Sequence, residues 1–293
     1  MAKTTKNKDR VELIAGWITI GIAAVMLVLL VLGMRRCAAE LSFPELTKPS
    51  ATAQGLPTQT APKPALIPNP YTARDFAYEN GYLTCLTGES LLGVDVSVHQ
   101  GQIDWKKVAE QGIRFAMVRV GARAWGQAGE IFADARWEEN LRGAKDNGLM
   151  TGVYFFSQAI SEEEAVEEAR FLLQQLDGRE LDLPVVFDWE FAPAAEGRTA
   201  NMTAQMLNLC MVAFCEEIKA AGYTPMVYFN LDLSRRMQDY LPLLQTNGYP
   251  FWLAHYSDIM TYPYRIQMWQ YTSSGVVPGI EGTVDLNLLF LYE

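Results

Sequence analysis

The sequence predicts an α/β fold, an eight-stranded barrel, on three observations. From residue 92 onward, short apolar runs alternate with helical patterns. The last three runs follow one another with no room for long helices between them. Acidic residues sit where several of the runs end, as they do in enzymes that carry chemistry at the C-terminal rim of a parallel barrel.

The segments ahead of that pattern have characters of their own. Residues 1–12 carry Lys3, Lys6, Lys8 and Arg10, and 13–34 form an unbroken apolar run closed by Arg35-Arg36. At 1.5 Å per residue that run spans about 33 Å as a helix, enough for a bilayer core. A cleaved signal would need a shorter apolar region and a small-residue cleavage site, so a retained anchor is the better reading. The basic residues leading the span place the N-terminus in the cytoplasm and everything after it outside the cell membrane. Residues 35–70 read as a Pro-rich linker. The more aromatic stretch 71–91 reads as an extension docked on the catalytic domain, 92–293.

Within that domain the strand candidates are 92–97, 114–120, 150–156, 183–190, 225–230, 251–256, 265–271 and 282–287. Helical patterns fall at 105–111, 133–147, 161–176 and 203–221, with a further helix at 234–244. Ser161 followed by Glu164 is a capping box that opens the third helix. Gly112, Gly148 and Gly222 stand where helices should stop.

A formal net charge of −10 over 293 residues argues against nucleic acid as a partner, since no basic stripe is present to neutralise phosphates. Cys37, Cys85, Cys210 and Cys215 lack metal-ligand spacing and are read as unpaired, a Cys37–Cys85 bridge being the alternative. His99 and His255 are isolated, so no metal site is expected.

The stretch Leu183-Pro184-Val185-Val186-Phe187-Asp188-Trp189-Glu190 is the most informative in the chain. Alternation along a strand puts Asp188 and Glu190 on one face and Trp189 on the other, with the two acidic Cα atoms roughly 6.5 Å apart. Carboxylates that close raise one another's pKa, the setting a general acid needs; the plain alternative is a helix cap or an ion pair with arginine. Asp95 ends the first strand and Asp285 lies in the last, and closure of the barrel makes those strands neighbours. Four acids should therefore ring one mouth. Tyr154, Phe156, Tyr228, Trp252, Tyr256, Trp269 and Tyr271 gather on strand ends as candidate faces for sugar rings, about half of them expected in the cleft, with Asn230 and Gln270 as candidate hydrogen-bond partners.

Gly93-Val94-Asp95-Val96-Ser97, Gln100-Gly101, Ile103-Asp104-Trp105, Gly152-Val153-Tyr154-Phe155-Phe156, Asp188-Trp189-Glu190, Trp252-Leu253-Ala254-His255-Tyr256, Trp269-Gln270-Tyr271 and Val284-Asp285-Leu286-Asn287 occur in that order. Together they resemble the family 25 glycoside hydrolases, the bacterial and phage type of lysozyme. The resemblance implies a flattened (β/α)5(β)3 barrel that cleaves the β-1,4 bond after N-acetylmuramic acid in peptidoglycan. It makes Glu190 the proton donor, Asp188 its partner, and Asp95 and Asp285 supporting acids. His255 and Phe155 depart from the Gln and His common at those places, and neither change touches a carboxylate. Acid catalysis on a sugar needs no cofactor, so none is expected. The catalytic domain is expected to act as a monomer on glycan strands. A barrel that binds wall without turnover, or one that cleaves another acetamido-sugar polymer such as chitin, are the rival readings.

Overall fold

The computed structural model describes residues 64–192 and 197–292. The run 13–34 lies outside them, and among the described residues no helix is long and apolar enough to cross a membrane.

A hairpin comes first, β1 (Phe76–Glu79) and β2 (Tyr82–Cys85), turned at Asn80-Gly81 with both residues at positive φ, the geometry this dipeptide favours. Then follow β3 (Ser90–Val96), α1 (Trp105–Glu110), β4 (Phe115–Arg123), β5 (Ile131–Ala133), α2 (Trp137–Asp146), β6 (Met150–Ser157), α3 (Glu162–Leu176) and β7 (Val185–Trp189). The chain continues through α4 (Ala204–Ala220), β8 (Pro225–Asn230), α5 (Leu231–Arg236), α6 (Leu241–Thr246), β9 (Phe251–Ala254), β10 (Met268–Gly275) and β11 (Val284–Phe290).

The strands run β3-β11-β10-β9-β8-β7-β6-β4, and a β3–β4 pairing closes the ring into an eight-stranded barrel. Seven strands are parallel; β11 is antiparallel to both β10 and β3. Phe115, Met117, Val186, Met226, Met268 and Leu289 fill the interior beneath the mouth. Gly93 lets the Phe115 ring in, since a Cβ there would meet that ring at 2.4 Å. A second apolar layer, including Phe187, Phe214, Leu172 and Trp269, lies between the sheet and its helices.

Three elements differ from the sequence reading. β4 runs on to Arg123 and pairs with β5, so α2 begins at Trp137 rather than at residue 133. The single helix expected over 234–244 is two short ones, because Pro242 can join a helix only in its first turn. The end of the expected linker is pinned to the barrel: Arg265 N–H donates to Ile67 O at 2.8 Å, and Asn69 N–H donates to Pro263 O at 2.9 Å. Leu66 packs on the core there, giving the segment something to bury. Cys85, Cys210 and Cys215 are free and buried.

Candidate active site

At the C-terminal ends of the parallel strands a cavity of about 220 Å³ opens. Asp95, Asp188, Glu190 and Asp285 all line it. Asp95 and Asp285 face each other in the β3–β11 register, and Asp188 pairs with Phe156 on one side and Tyr228 on the other. Trp189 turns outward, its Nε1 donating to Ala159 O at 2.8 Å, which leaves the flanking acids facing the mouth. Gln158 Nε2 donates to the Glu190 backbone carbonyl at 2.5 Å and fixes the chain where the strand ends.

Asp95 is the hub of a buried network. Its Oδ2 accepts from Gln270 Nε2 and from Asn287 Nδ2, each at 2.8 Å. Gln270 Oε1 accepts from the hydroxyls of Tyr228 at 3.0 Å and Tyr256 at 3.3 Å. Asn287 Oδ1 accepts from Trp252 Nε1 at 2.8 Å. Each amide thus uses one end to hold the acid and the other to hold a ring, so both are oriented without ambiguity.

All four acids hold protons more tightly than a solvated carboxyl. Burial pushes Asp95 up to about 6 against the pull of the two amides. Asp285 rises to about 8 through burial and the charges of Asp95 and Glu190. Asp188 is raised by burial and then by Glu190, and its Oδ1 has no hydrogen-bond partner. Glu190 is raised by burial and then by the Asp95 charge. Asp188 and Glu190 thus raise one another across the strand end, and the Asp95 charge adds to the effect on both.

Of the ring and amide candidates, Tyr154, Phe156, Tyr228, Trp252, Tyr256 and Gln270 line the cavity. Trp269, Tyr271 and Asn230 do not; Tyr271 is buried on the far side of the sheet, its hydroxyl accepting Leu83 N–H at 3.4 Å. Gln270 faces inward, so alternation sends Trp269 outward, where it is fully buried against Phe76 and donates to His255 O at 2.8 Å. Asn230 caps α5, accepting Leu233 N–H at 2.9 Å.

Sequence reasoning missed Arg119, Ser97, His99 and Gln100 in the lining, and Asn287 beneath it. Arg119 is the consequential omission, a cation among the acids. Its Nε and Nη2 reach Asp134 Oδ2 at 2.9 and 2.8 Å, and the same oxygen accepts Val98 N–H at 2.9 Å. Asp134 thereby ties Arg119 to the turn that bears His99 and Gln100. The Arg119 charge opposes protonation of Asp188. A lone charge inside the apolar run Phe115-Ala116-Met117-Val118-Arg119-Val120 was the signal available.

Comparison with known proteins gives the family and agrees with the fold. The model of the family "Glycosyl hydrolases family 25" matches residues 94–280. The chain is 30% identical over 208 residues to the uncharacterized protein YegX of Escherichia coli K12, covering 67% of this chain and 68% of that one. It is 27% identical over 212 residues to Lysozyme M1 of Streptomyces globisporus, covering 67% and 66%. Among solved structures, the modular autolysin LytC of Streptococcus pneumoniae, in complex with a synthetic peptidoglycan ligand, aligns with a TM-score of 0.62 at 22% identity. The match covers 73% of this chain and 52% of LytC, so the chain spans about half of that protein. The bacterial lysozyme of Streptomyces coelicolor aligns at 0.56 and 24% identity, covering 68% and 91%. At those identities the structural likeness speaks for the fold.

Proposed function

Because the chain belongs to glycosyl hydrolases family 25 and is a glycoside hydrolase, we propose that it cleaves the β-1,4 bond between N-acetylmuramic acid and N-acetylglucosamine in peptidoglycan. The observation that carries this reading is the convergence of Asp95, Asp188, Glu190 and Asp285 on one cavity floored by Tyr154, Tyr228 and Trp252. Glu190 is the general acid: burial and the Asp95 charge favour its protonated form, and it donates to the glycosidic oxygen as the bond to the anomeric carbon breaks.

Positive charge then develops on the sugar ring, and the negative charge that Asp95 and Asp285 share stabilises it from fixed positions in a site of low dielectric. Asp188 stands next to Glu190 with an oxygen free to accept a hydrogen bond. It either orients the substrate's acetamido group as the internal nucleophile or activates water, and the anomer first formed separates the two routes by NMR. Arg119 keeps ionisation of Asp188 within reach for either role. Gln270 and Asn287 hold Asp95, and through it Asp285, against the rings that receive the sugar.

Residues 13–34 are proposed as a single membrane span, with 1–12 cytoplasmic and the barrel outside, joined by the Pro-rich segment. The length and apolarity of that run support the reading. Release of the chain from membranes after deletion of 1–34 tests it. The substrate is tested by mass analysis of the new reducing ends released from purified peptidoglycan. Muramic acid ends are expected. Glucosamine ends, turnover of chitin instead, or binding without release contradict the assignment.

A further inference from the structure

The turn between β4 and β5 presents an indole at the edge of the cleft. Trp125 is 53% exposed. Its ring stands edge-on to Phe156, with centroids 6.4 Å apart and an interplanar angle of 64°, and Phe156 lines the acidic cavity. The turn itself is rigidly held. Ala124 N–H donates to Glu130 O at 2.9 Å, and Gly129 N–H donates to Gly126 O at 3.0 Å. From beneath, Arg123 sends Nη1 to Gly129 O at 2.8 Å and Nε to the buried Glu168 at 2.6 Å. Arg198, bound to Glu164 at 2.6 Å, presses against Gly129 so closely that a Cβ there would meet its guanidinium.

Two buried guanidinium groups therefore fix one short turn. Buried ion pairs of this kind return little net stability, because desolvation offsets their attraction. Holding a geometry is the better account of them, and the large side chain the turn holds out to solvent is Trp125.

The order of strands around the mouth gives that side chain a counterpart. β4, which leads into Trp125, and β6, which carries Phe156, lie on one side of the Asp188–Glu190 strand, and β9, which leads into Tyr256, lies on the other. Tyr256 is 59% exposed, with its hydroxyl on Gln270. Aromatic faces on both flanks with acids between them suit a chain of pyranose rings laid across the cleft.

We propose that Trp125 and Phe156 form a sugar-stacking subsite for a pyranose unit of the glycan strand remote from the bond being cleaved, with the Arg123–Glu168 and Arg198–Glu164 pairs positioning it. The apolar C–H face of the ring covers the indole, and the hydroxyl rim stays in water. This inference rests on the glycan substrate proposed above.

The test is kcat and KM for wild type, Trp125→Ala and Trp125→Phe on peptidoglycan oligosaccharides of increasing length. On long strands Trp125→Ala should raise KM about tenfold, as expected for one lost stacking contact, with kcat within about twofold. On the shortest cleavable substrate it should match wild type, and Trp125→Phe should recover most of the affinity. Identical KM for wild type and Trp125→Ala at every length overturns the subsite. So does an equal loss at every length, which marks general damage to the fold. Absence of turnover by wild type at any length removes the glycan substrate itself, a different result from wild type and variant cleaving alike.

Discussion

Replacing Asp285 by asparagine should make the fold more stable and the enzyme slower. In the folded chain this carboxyl is raised to about 8, whereas a solvated aspartate titrates at 3.8. Between those values the folded protein holds a proton that the unfolded chain has given up. Stability tied to that proton is fully present below 3.8 and is lost as pH rises through about 8. Each pH unit in the window costs about 1.4 kcal/mol, so the ceiling at pH 7 is on the order of 4 kcal/mol. Water reaching this half-buried side chain, and the proton it shares with Asp95, bring the effect to about 2 kcal/mol. Asparagine keeps the shape and a donor toward Asp95 but never ionises. The variant should therefore melt about 5 °C above wild type at pH 7 and close to it near pH 4. Asp95, raised to about 6, and Glu168, raised to about 7, act with the same sign. Wild type should accordingly lose stability steadily from pH 4 to 8. Thermal melts of the full-length protein at half-unit steps of pH measure both trends. A wild-type Tm that climbs across this window, or a gap to the variant that is the same at pH 4 and pH 7, refutes the linkage. Lower turnover from the stabilised variant is the companion expectation, since functional sites retain groups the fold would be better without.

Three further outcomes follow from the same geometry. Asp95→Asn removes the charge that raises Glu190, so the alkaline limb of the pH–rate profile should move to lower pH; an unmoved limb denies the coupling. Arg119→Gln leaves the buried Asp134 carboxylate without its cation and should cost about 3–5 kcal/mol in urea unfolding; a loss below 1 kcal/mol means that the pair is solvated. Trp269→Ala should cost about 3–5 kcal/mol of stability with KM unchanged in the protein that remains folded, because the ring packs behind the sheet; a raised KM returns it to the cleft.

The four acids were legible because they mark strand ends, and strand ends are where apolar runs stop. The opposition of Asp95 and Asp285 followed from closure alone. Alternation separated Asp188 and Glu190 from Trp189, yet the same rule applied to Trp269-Gln270 forbids both from facing the cleft, and composition drew them together wrongly. Asn230 shows a different limit: it stands at a strand end, but the helix that begins one residue later takes its side chain as a cap. Asn287 was within reach, two residues past Asp285 and on the same face. How tightly each acid holds its proton was not, because it depends on burial and on the charges that Asp95, Arg119 and Asp285 bring to Asp188 from three other strands. The Asn80-Gly81 hairpin had a local signal that was passed over, whereas the pinning of residues 66–70 rests on contacts with Tyr262 to Arg265 that no local pattern announces.

The proposed reaction requires that the proton delivered to the glycosidic oxygen come from Glu190. Release of soluble fragments from purified peptidoglycan by wild type and by Glu190→Gln, at equal concentrations of folded protein, tests it most directly. The variant should melt as a folded protein and release fragments at least 10²-fold more slowly, the usual contribution of a general acid. Release within a few-fold of wild type would contradict the account, because the remaining three acids would then be sufficient without it.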